Sequence, residues 1–433
     1  MTISLNYLRH KNFAIYGLGV TGLSVIDYFD KYGFKNYIGW DDNNKTLKRF
    51  LGSKYTRMKR DFLKLINYAD YIIVSPGVNI YKAKLKKILL KNKQKIITDI
   101  DLFYLFNPNL KSIVVTGTNG KSTTCKIIEH VLKKNNIKTS LGGNIGRPIL
   151  DLIPKENSLV IIEASSFQLE YSKFISPNYA MILNITKDHL DWHKTFKNYT
   201  ESKFKIFLNQ KKNDFAFLNN KKFTDVYKRK NFKGKLKFVS IKKYKSIREK
   251  IKNIYLKSKV NDENMSFAYH LLKKFNISNA SFIKSVNSFK GLQHRHEVFF
   301  KKKNMIFIND SKATSFEATK QALLSNKNIY WIVGGLPKKN DYFYLRNLKK
   351  QIIKAYIIGK NSSFFKKQIQ KYIPYTISRN MKNAVNNIHK DIRVNRNLEK
   401  TILLSPAAAS FDQFKNFENR GFFFKNLIMK KFK

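Results

Sequence analysis

Cysteine is nearly absent. The 433 residues include one, Cys125, so no internal disulfide can form, which suits a reducing compartment. Long apolar runs are missing too: no uninterrupted stretch reaches the roughly 18–20 residues that a membrane span requires. The opening MTISLNYLRHKNF lacks the apolar core of a signal peptide, so a cytoplasmic chain without a membrane span is expected. Acidic residues are scarce, 29 against 84 Lys and Arg, for a formal net charge of +55. Such a charge raises the class of nucleic-acid binders, because Lys and Arg neutralise phosphates and release counterions. The basic residues, however, run through every segment instead of gathering in one tail or stripe. A dedicated nucleic-acid surface is therefore not expected, whereas anionic small substrates should be favoured.

What is present suffices for several cores. A hydrophobic content of 43% with 14% aromatics excludes a disordered chain, and the length allows two to four domains. Residues 1–97 alternate short β-rich runs (FAIYG, NYIGW, YIIVSPG) with helical patterns, as a small parallel α/β unit does. A second unit, 98–291, holds the apolar strands SIVVTG, SLVIIEASS and YAMILNIT, which end in polar residues like strands of a sheet buried on both faces. The pattern restarts in 292–433 with MIFINDSKA, IYWIVGG, AYIIGK and TILLSPAA. The expected fold is α/β in three domains: an N-terminal Rossmann-like unit, a central P-loop-type parallel sheet and a C-terminal Rossmann-like unit.

Two glycine-rich loops carry the first chemical signals. Gly17-Leu-Gly19-Val20-Thr21-Gly22 follows a strand and opens a helix, with Asp41 and Asp42 about 20 residues on, the spacing of a dinucleotide site. Asp41 and Ser75-Pro76-Gly77 fall at neighbouring strand ends, where open parallel sheets bind ligands. The second loop, TGTNGKST, spans residues 116–123. Gly117 and Gly120 let backbone N–H groups turn toward a phosphate at a helix start, Lys121 would reach the β/γ-phosphates, and Ser122 would ligate Mg²⁺. Glu163 and His189 follow the next two strands, and a carboxylate and an imidazole there could share a hard cation with ATP phosphates. Asp188, Asp191 and His193 crowd the same loop, so chemistry alone does not choose the ligand. In the third segment Asp310, Lys312, Thr314, Lys338 and Ser410 follow strands and could bind an anion or a ribose.

Taken in order, GLGVTG, SPGV, VVTGTNGKSTT, GGNIG, EASSFQLE, LNITKDHLD, GLQHRHE, NDSKAT, VGG and LSPAAASFDQFKNFENRG resemble the Mur ligases of peptidoglycan synthesis. The likeness runs from Gly17 to Gly421, and its C-terminal stretch looks like that of the D-glutamate-adding branch. It implies an ATP-dependent ligase joining D-glutamate to UDP-N-acetylmuramoyl-L-alanine through an acyl phosphate, with two Mg²⁺ ions and a monomeric chain. It implies ATP contacts at Gly117, Thr118, Asn119, Gly120, Lys121, Ser122, Thr123, Asn261, Asn264, Arg295 and Asp310. Ser122 and Glu163 would hold one Mg²⁺ and His189 the second, with Lys203, carbamylated by CO₂, beside it; Lys121, His189 and Lys203 form the catalytic group. The UDP-substrate would meet Gly19, Val20, Thr21, Asp41, Ser75, Pro76, Gly77, Asn144 and Ser165. The D-glutamate pocket would use Lys312, Thr314, Lys338 (or its neighbour Lys339), Ser410 and Phe417.

Two other classes share parts of these signals. A folylpolyglutamate synthase-like ligase shares the P-loop and the glutamate chemistry but begins almost directly at the P-loop domain. A nucleic-acid-stimulated ATPase would suit the charge. No hydride-accepting chemistry follows the first glycine loop, so that loop is expected to hold the UDP end of the substrate and the second to hold ATP.

Overall fold

In a computed structural model the described residues are 5–46, 58–152, 158–257, 261–338, 341–392 and 399–433. They form three sheets. In the first, β1 (Phe13–Tyr16), β2 (Tyr37–Trp40), β3 (Tyr71–Val74) and β4 (Ile96–Ile97) run parallel in the order β2-β1-β3-β4. Every residue of β1 is buried, as an apolar run covered on both faces requires. Its rings pack on one another: Phe13 lies 4.8 Å from Phe29 and 5.7 Å from Tyr71, centroid to centroid.

The second sheet contains β5 (Ser112–Thr116), β6 (Thr139–Gly143), β7 (Leu159–Glu163), β8 (Tyr179–Ile182), β9 (Phe215–Leu218) and β10 (Lys235–Phe238). All are parallel, in the order β10-β9-β8-β5-β7-β6, which puts β5 and its glycine loop between β7 and β8. The carboxyl ends of β5, β7 and β8 therefore converge, and the helix Lys121–Lys134 starts in their midst. These first two sheets belong to one compact unit, residues 1–247 with 263–286. Where they meet, the helix Asp99–Phe106 is capped by a reciprocal pair: the Thr98 side chain accepts from the Asp101 N–H and the Asp101 carboxylate from the Thr98 N–H. That box is worth about 1 kcal/mol. Asp101 also accepts from the Ser172 hydroxyl at 2.6 Å and the Phe174 N–H at 2.8 Å.

The third sheet lies in a second unit, residues 248–262 with 287–433. It comprises β11 (Glu297–Lys302), β12 (Met305–Asn309), β13 (Ile329–Gly334), β14 (Ile352–Ile358), β15 (Tyr375–Arg379) and β16 (Lys400–Leu404), in the order β11-β12-β16-β13-β14-β15. Only β11 is antiparallel to its neighbour, the others being parallel. The α/β character and the three sheets match the sequence-based expectation. Among the described residues no helix is long and apolar enough to cross a membrane.

Candidate active site

At the first glycine loop the chain turns sharply from β1 into the helix Val20–Lys31. Gly17 has φ +98°, its N–H donates to the Trp40 carbonyl at 2.7 Å, and its own carbonyl accepts from the Ser75 hydroxyl at 2.7 Å. A Cβ on Gly22 would sit 2.0 Å from the Gly17 carbonyl oxygen, so only glycine fits there. Gly19 caps the helix without a side chain, leaving its first turn, with Val20 and Thr21, to meet an anion. Asp41 accepts from the Leu18 and Asn43 N–H groups, both at 2.7 Å. Asp42 is spent within the protein, on Tyr16 Oη at 2.6 Å, Trp40 Nε1 at 3.0 Å and the Lys84 N–H at 2.9 Å. Ser75, Pro76 and Gly77 follow β3 at the same carboxyl edge.

In the second loop Gly117 has φ +158° and Gly120 φ +82°, and the helix Lys121–Lys134 again starts with no side-chain cap. Lys121 Nζ donates to the carbonyls of Gly117 and Thr118, both at 2.8 Å. Thr118 is anchored in turn: its hydroxyl lies 3.0 Å from Tyr199 Oη and accepts from the Thr186 N–H at 3.0 Å. Thr123 is buried one residue beyond Ser122. Ser122 donates its hydroxyl to Glu163 Oε2 at 2.5 Å, and Asn144 Nδ2 donates to Glu163 Oε1 at 2.8 Å. Glu163, 1% exposed at the end of β7, thus meets only neutral donors and makes no ion pair among the described residues. A buried carboxylate and hydroxyl are the oxygen donors that Mg²⁺ prefers, and a buried carboxylate without a cation has room in its charge balance for one.

Lys203 is 1% exposed, and its Nζ donates to the Gly117 carbonyl at 2.9 Å, the oxygen that Lys121 also uses. Burial, and then the nearby Lys121 charge, holds its pKa well below the usual lysine range. Its amine is therefore pushed toward the neutral, nucleophilic form that carbamylation needs. Beneath it, 4.6 Å away, is the Tyr199 ring. His189 has φ +52°, donates its backbone N–H to Asp188 Oδ1 at 2.9 Å, and keeps Nε2 at 3.4 Å from Asp188 Oδ2. Ser165 opens the next helix with a capping box to Gln168. Asn264 lies against the P-loop, since a Cβ on Gly120 would come within 2.0 Å of its Oδ1. Among the described residues no three His, Cys, Asp or Glu gather into a metal cluster, so a cation here would rest on a mixed donor set.

The second unit carries the remaining candidates. Asn261 is buried, with Nδ2 donating to the Tyr255 carbonyl at 2.8 Å. Arg295 and Asp310 flank one turn, as Asp310 Oδ1 accepts from the His296 N–H at 3.0 Å and Oδ2 from the Ser405 hydroxyl at 2.7 Å. Burial pushes the Asp310 carboxyl up to about 7. Lys312 Nζ stands 3.8 Å over the Phe417 ring, a cation–π pair that joins two of the residues expected in the glutamate pocket. Thr314 is partly exposed after them, Lys338 lies beyond β13, and Ser410 is buried after β16. Lys339 lies outside the described residues.

Two stretches of the chain match family domains: residues 11–97 the MurD-like N-terminal domain of Mur ligases, and residues 115–283 the Mur ligase middle domain. The UDP-N-acetylmuramoylalanine–D-glutamate ligase of Rickettsia prowazekii (strain Madrid E) is 33% identical over 446 residues, covering 98% of this chain and 99% of its own. The chain belongs to the Mur ligase family. The ligase of the same name from Bartonella henselae is 30% identical over 465 residues and covers 99% of each chain. Among solved structures, UDP-N-acetylmuramate-alanine ligase MurC of Thermotoga maritima shares the fold at a TM-score of 0.57 and 15% identity, over 97% of this chain and 100% of that one. A MurF ligase of Thermotoga maritima in complex with ADP gives 0.55 at 16% identity, over 87% and 94%.

As a Mur ligase the chain is an enzyme of amide-bond formation. Each unit also contains a residue to which the sequence reading gave no role. Asn184, at the end of β8, accepts the Asn119 N–H on its side chain at 2.9 Å and the Thr118 N–H on its carbonyl at 2.9 Å. Arg420 is buried and ties two loops together, with Nη2 donating to the carbonyls of Ser311 at 2.8 Å and Ala408 at 3.0 Å. Both lie inside motifs that carry the resemblance, LNITKDHLD and NFENRG, so the signal was present without a role attached.

Proposed function

We propose that this Mur ligase adds D-glutamate to UDP-N-acetylmuramoyl-L-alanine at the expense of ATP, in the cytoplasm and as a monomer. The observation that carries the reading is the shared Gly117 carbonyl: it draws Lys121 and Lys203 to one point beside the Ser122–Glu163–Asn144 chain. That arrangement gathers cationic and cation-binding groups where a γ-phosphoryl group would be transferred. The names of the full-length relatives supply the substrates.

In this reading the chain divides at 1–97, 98–291 and 292–433. The first glycine loop with Asp41, Ser75, Pro76 and Gly77 holds the UDP end, and Asn144 and Ser165 the muramoyl end. The substrate carboxylate attacks the γ-phosphorus, ADP leaves, the D-glutamate amine attacks the acyl phosphate carbonyl, and phosphate departs. Lys121 neutralises charge on the phosphoryl oxygens, Gly120 and Thr123 offer N–H groups to the phosphates, and Thr118 and Asn119, whose N–H groups are held by Asn184, shape the loop around them. Asn261, Asn264, Arg295 and Asp310 hold the remainder of the nucleotide. Lys312, Thr314, Lys338, Ser410 and Phe417 hold D-glutamate. Two Mg²⁺ ions, at Ser122 with Glu163 and at His189 with carbamylated Lys203, would supply electrostatic stabilisation of the phosphoryl transfer.

Phosphate release tests the reading. The protein, ATP, Mg²⁺ and UDP-N-acetylmuramoyl-L-alanine are mixed with D-glutamate or with L-glutamate. Release is expected only with D-glutamate. Equal release with L-glutamate, or release driven by DNA or RNA in place of the sugar nucleotide, would sink it.

A further inference from the structure

The first turn of the helix Asp262–Leu272 carries a carboxylate that the chemistry above does not use. Glu263 is only partly exposed, and in a chain with 84 basic and 29 acidic residues it makes no ion pair among the described residues. Its two oxygens accept from neutral amides instead: Oε2 from Asn184 Nδ2 at 2.5 Å and Oε1 from Asn219 Nδ2 at 2.7 Å. A partly buried charge without a counter-charge costs stability unless hydrogen bonds compensate. Its placement calls for a reason beyond packing.

Asn184 supplies one. Its Oδ1 accepts from the Asn119 N–H at 2.9 Å, and its Nδ2 donates to the Asn119 carbonyl at 3.3 Å as well as to Glu263. A carboxamide can turn over, and a turned Asn184 would set its NH₂ against the Asn119 N–H and its oxygen against the Glu263 carboxylate. An ionised carboxylate accepts and cannot donate, so Glu263 permits only the orientation that matches the loop. A glutamine in its place could meet either orientation.

We propose that Glu263 is a positioning residue for the P-loop, which through the Asn184 carboxamide fixes Asn119 in the conformation that receives the nucleotide phosphates. The inference rests on the second glycine loop being the ATP site. A bland alternative is an acidic residue that merely offsets the helix dipole in the first turn, and that role would not depend on Asn184.

The test measures Mg-ATP binding by calorimetry on the protein alone, together with the KM of each substrate and the melting temperature. Glu263→Leu is expected to weaken ATP binding about tenfold while the KM values for the sugar nucleotide and D-glutamate stay within about twofold. Asn184→Asp is expected to weaken ATP binding at least as much, because two carboxylates then face each other. Adding Glu263→Gln to Asn184→Asp should recover at least half of that loss, since the glutamine amide now donates to Asp and the Asp oxygen still accepts the Asn119 N–H. Wild-type ATP affinity in Glu263→Leu, or no recovery in the double variant, would overturn the proposal. Should Glu263→Leu not fold, the double variant against Asn184→Asp decides alone. Absence of ATP binding by the wild-type protein would overturn the ATP reading itself, a result separate from any change between variants.

Discussion

His296 shows how a single residue's surroundings set a pH response. It is the second histidine of HRHE, its ring is partly buried with Nδ1 shut off from solvent, and burial pushes its pKa down to about 4 from an ordinary 6.5. The unfolded chain binds that proton near pH 6.5 and the folded chain refuses it until about pH 4. Its contribution to stability is therefore complete above pH 6.5 and shrinks as the pH falls through that window. Asp310, which accepts the His296 N–H, works the other way: burial raises its carboxyl to about 7 from 3.8, so the folded state holds a proton that the unfolded state releases. Stability from that group is present at low pH and lost as the pH rises toward 7. The two slopes oppose each other between about pH 4 and 6.5. His296→Phe removes one of them. We expect the variant to gain about 2 kcal/mol relative to wild type on going from pH 7 to pH 5, from the 1.4 kcal/mol that each pKa unit represents. Urea midpoints at both pH values check it, and any pH-independent packing cost cancels in the difference. Parallel shifts at the two pH values would contradict the neutral state of the ring.

At the scale of elements, the first glycine loop separates two uses of glycine that its sequence spacing lumps together. Gly22 has no room for a Cβ, whereas nothing lies within 4 Å of the position a Cβ would take on Gly19. Gly22→Ala is expected to destabilise the fold by more than about 2 kcal/mol, because the clash is with backbone. Gly19→Ala should leave the melting temperature unchanged and raise the KM for the UDP-substrate several-fold. Equal losses of stability in both variants would refute that division. The same spacing shows why some elements were legible and others not. Strands buried on both faces, such as β5, β7, β8, β13 and β16, read as unbroken apolar runs. Three edge strands escaped: β10, Lys-Leu-Lys-Phe, is mostly exposed, β15 alternates polar residues, and β6 ends in two glycines. The phosphate loop was legible because its function lies in contiguous residues at a strand-to-helix turn. Glu263 and Asn184 were not, because their pairing joins residues 79 positions apart and exists only once β8 and the helix are packed.

For the whole molecule the scarcity of acidic residues becomes an energetic quantity. Twenty-nine carboxylates cannot pair 84 cations, and several are already committed to hydrogen bonds instead of ion pairs: Glu163 to Ser122 and Asn144, Asp310 to Ser405 and a backbone N–H, Glu263 to two asparagines. Most lysines therefore feel other lysines more than any counter-charge, and a net charge far from zero opposes the compact state through self-repulsion. Screening relieves it, since the Debye length falls from about 30 Å at 0.01 M salt to about 8 Å at 0.15 M. The melting temperature of the ligand-free protein is accordingly expected to rise by several degrees between about 0.01 and 0.3 M NaCl, a shift of order 1 kcal/mol. The substrate KM values should rise over the same range, because the field that destabilises the fold also attracts the anionic nucleotides. Opposite signs for stability and affinity in one salt titration would identify a diffuse charge at work. A melting temperature that falls with salt would mean that specific ion pairs outweigh the repulsion. Steep salt-dependent binding of DNA accompanied by faster ATP hydrolysis would instead mark the charge as a nucleic-acid surface, whereas weak binding without stimulation is what cations spread along the whole chain should give.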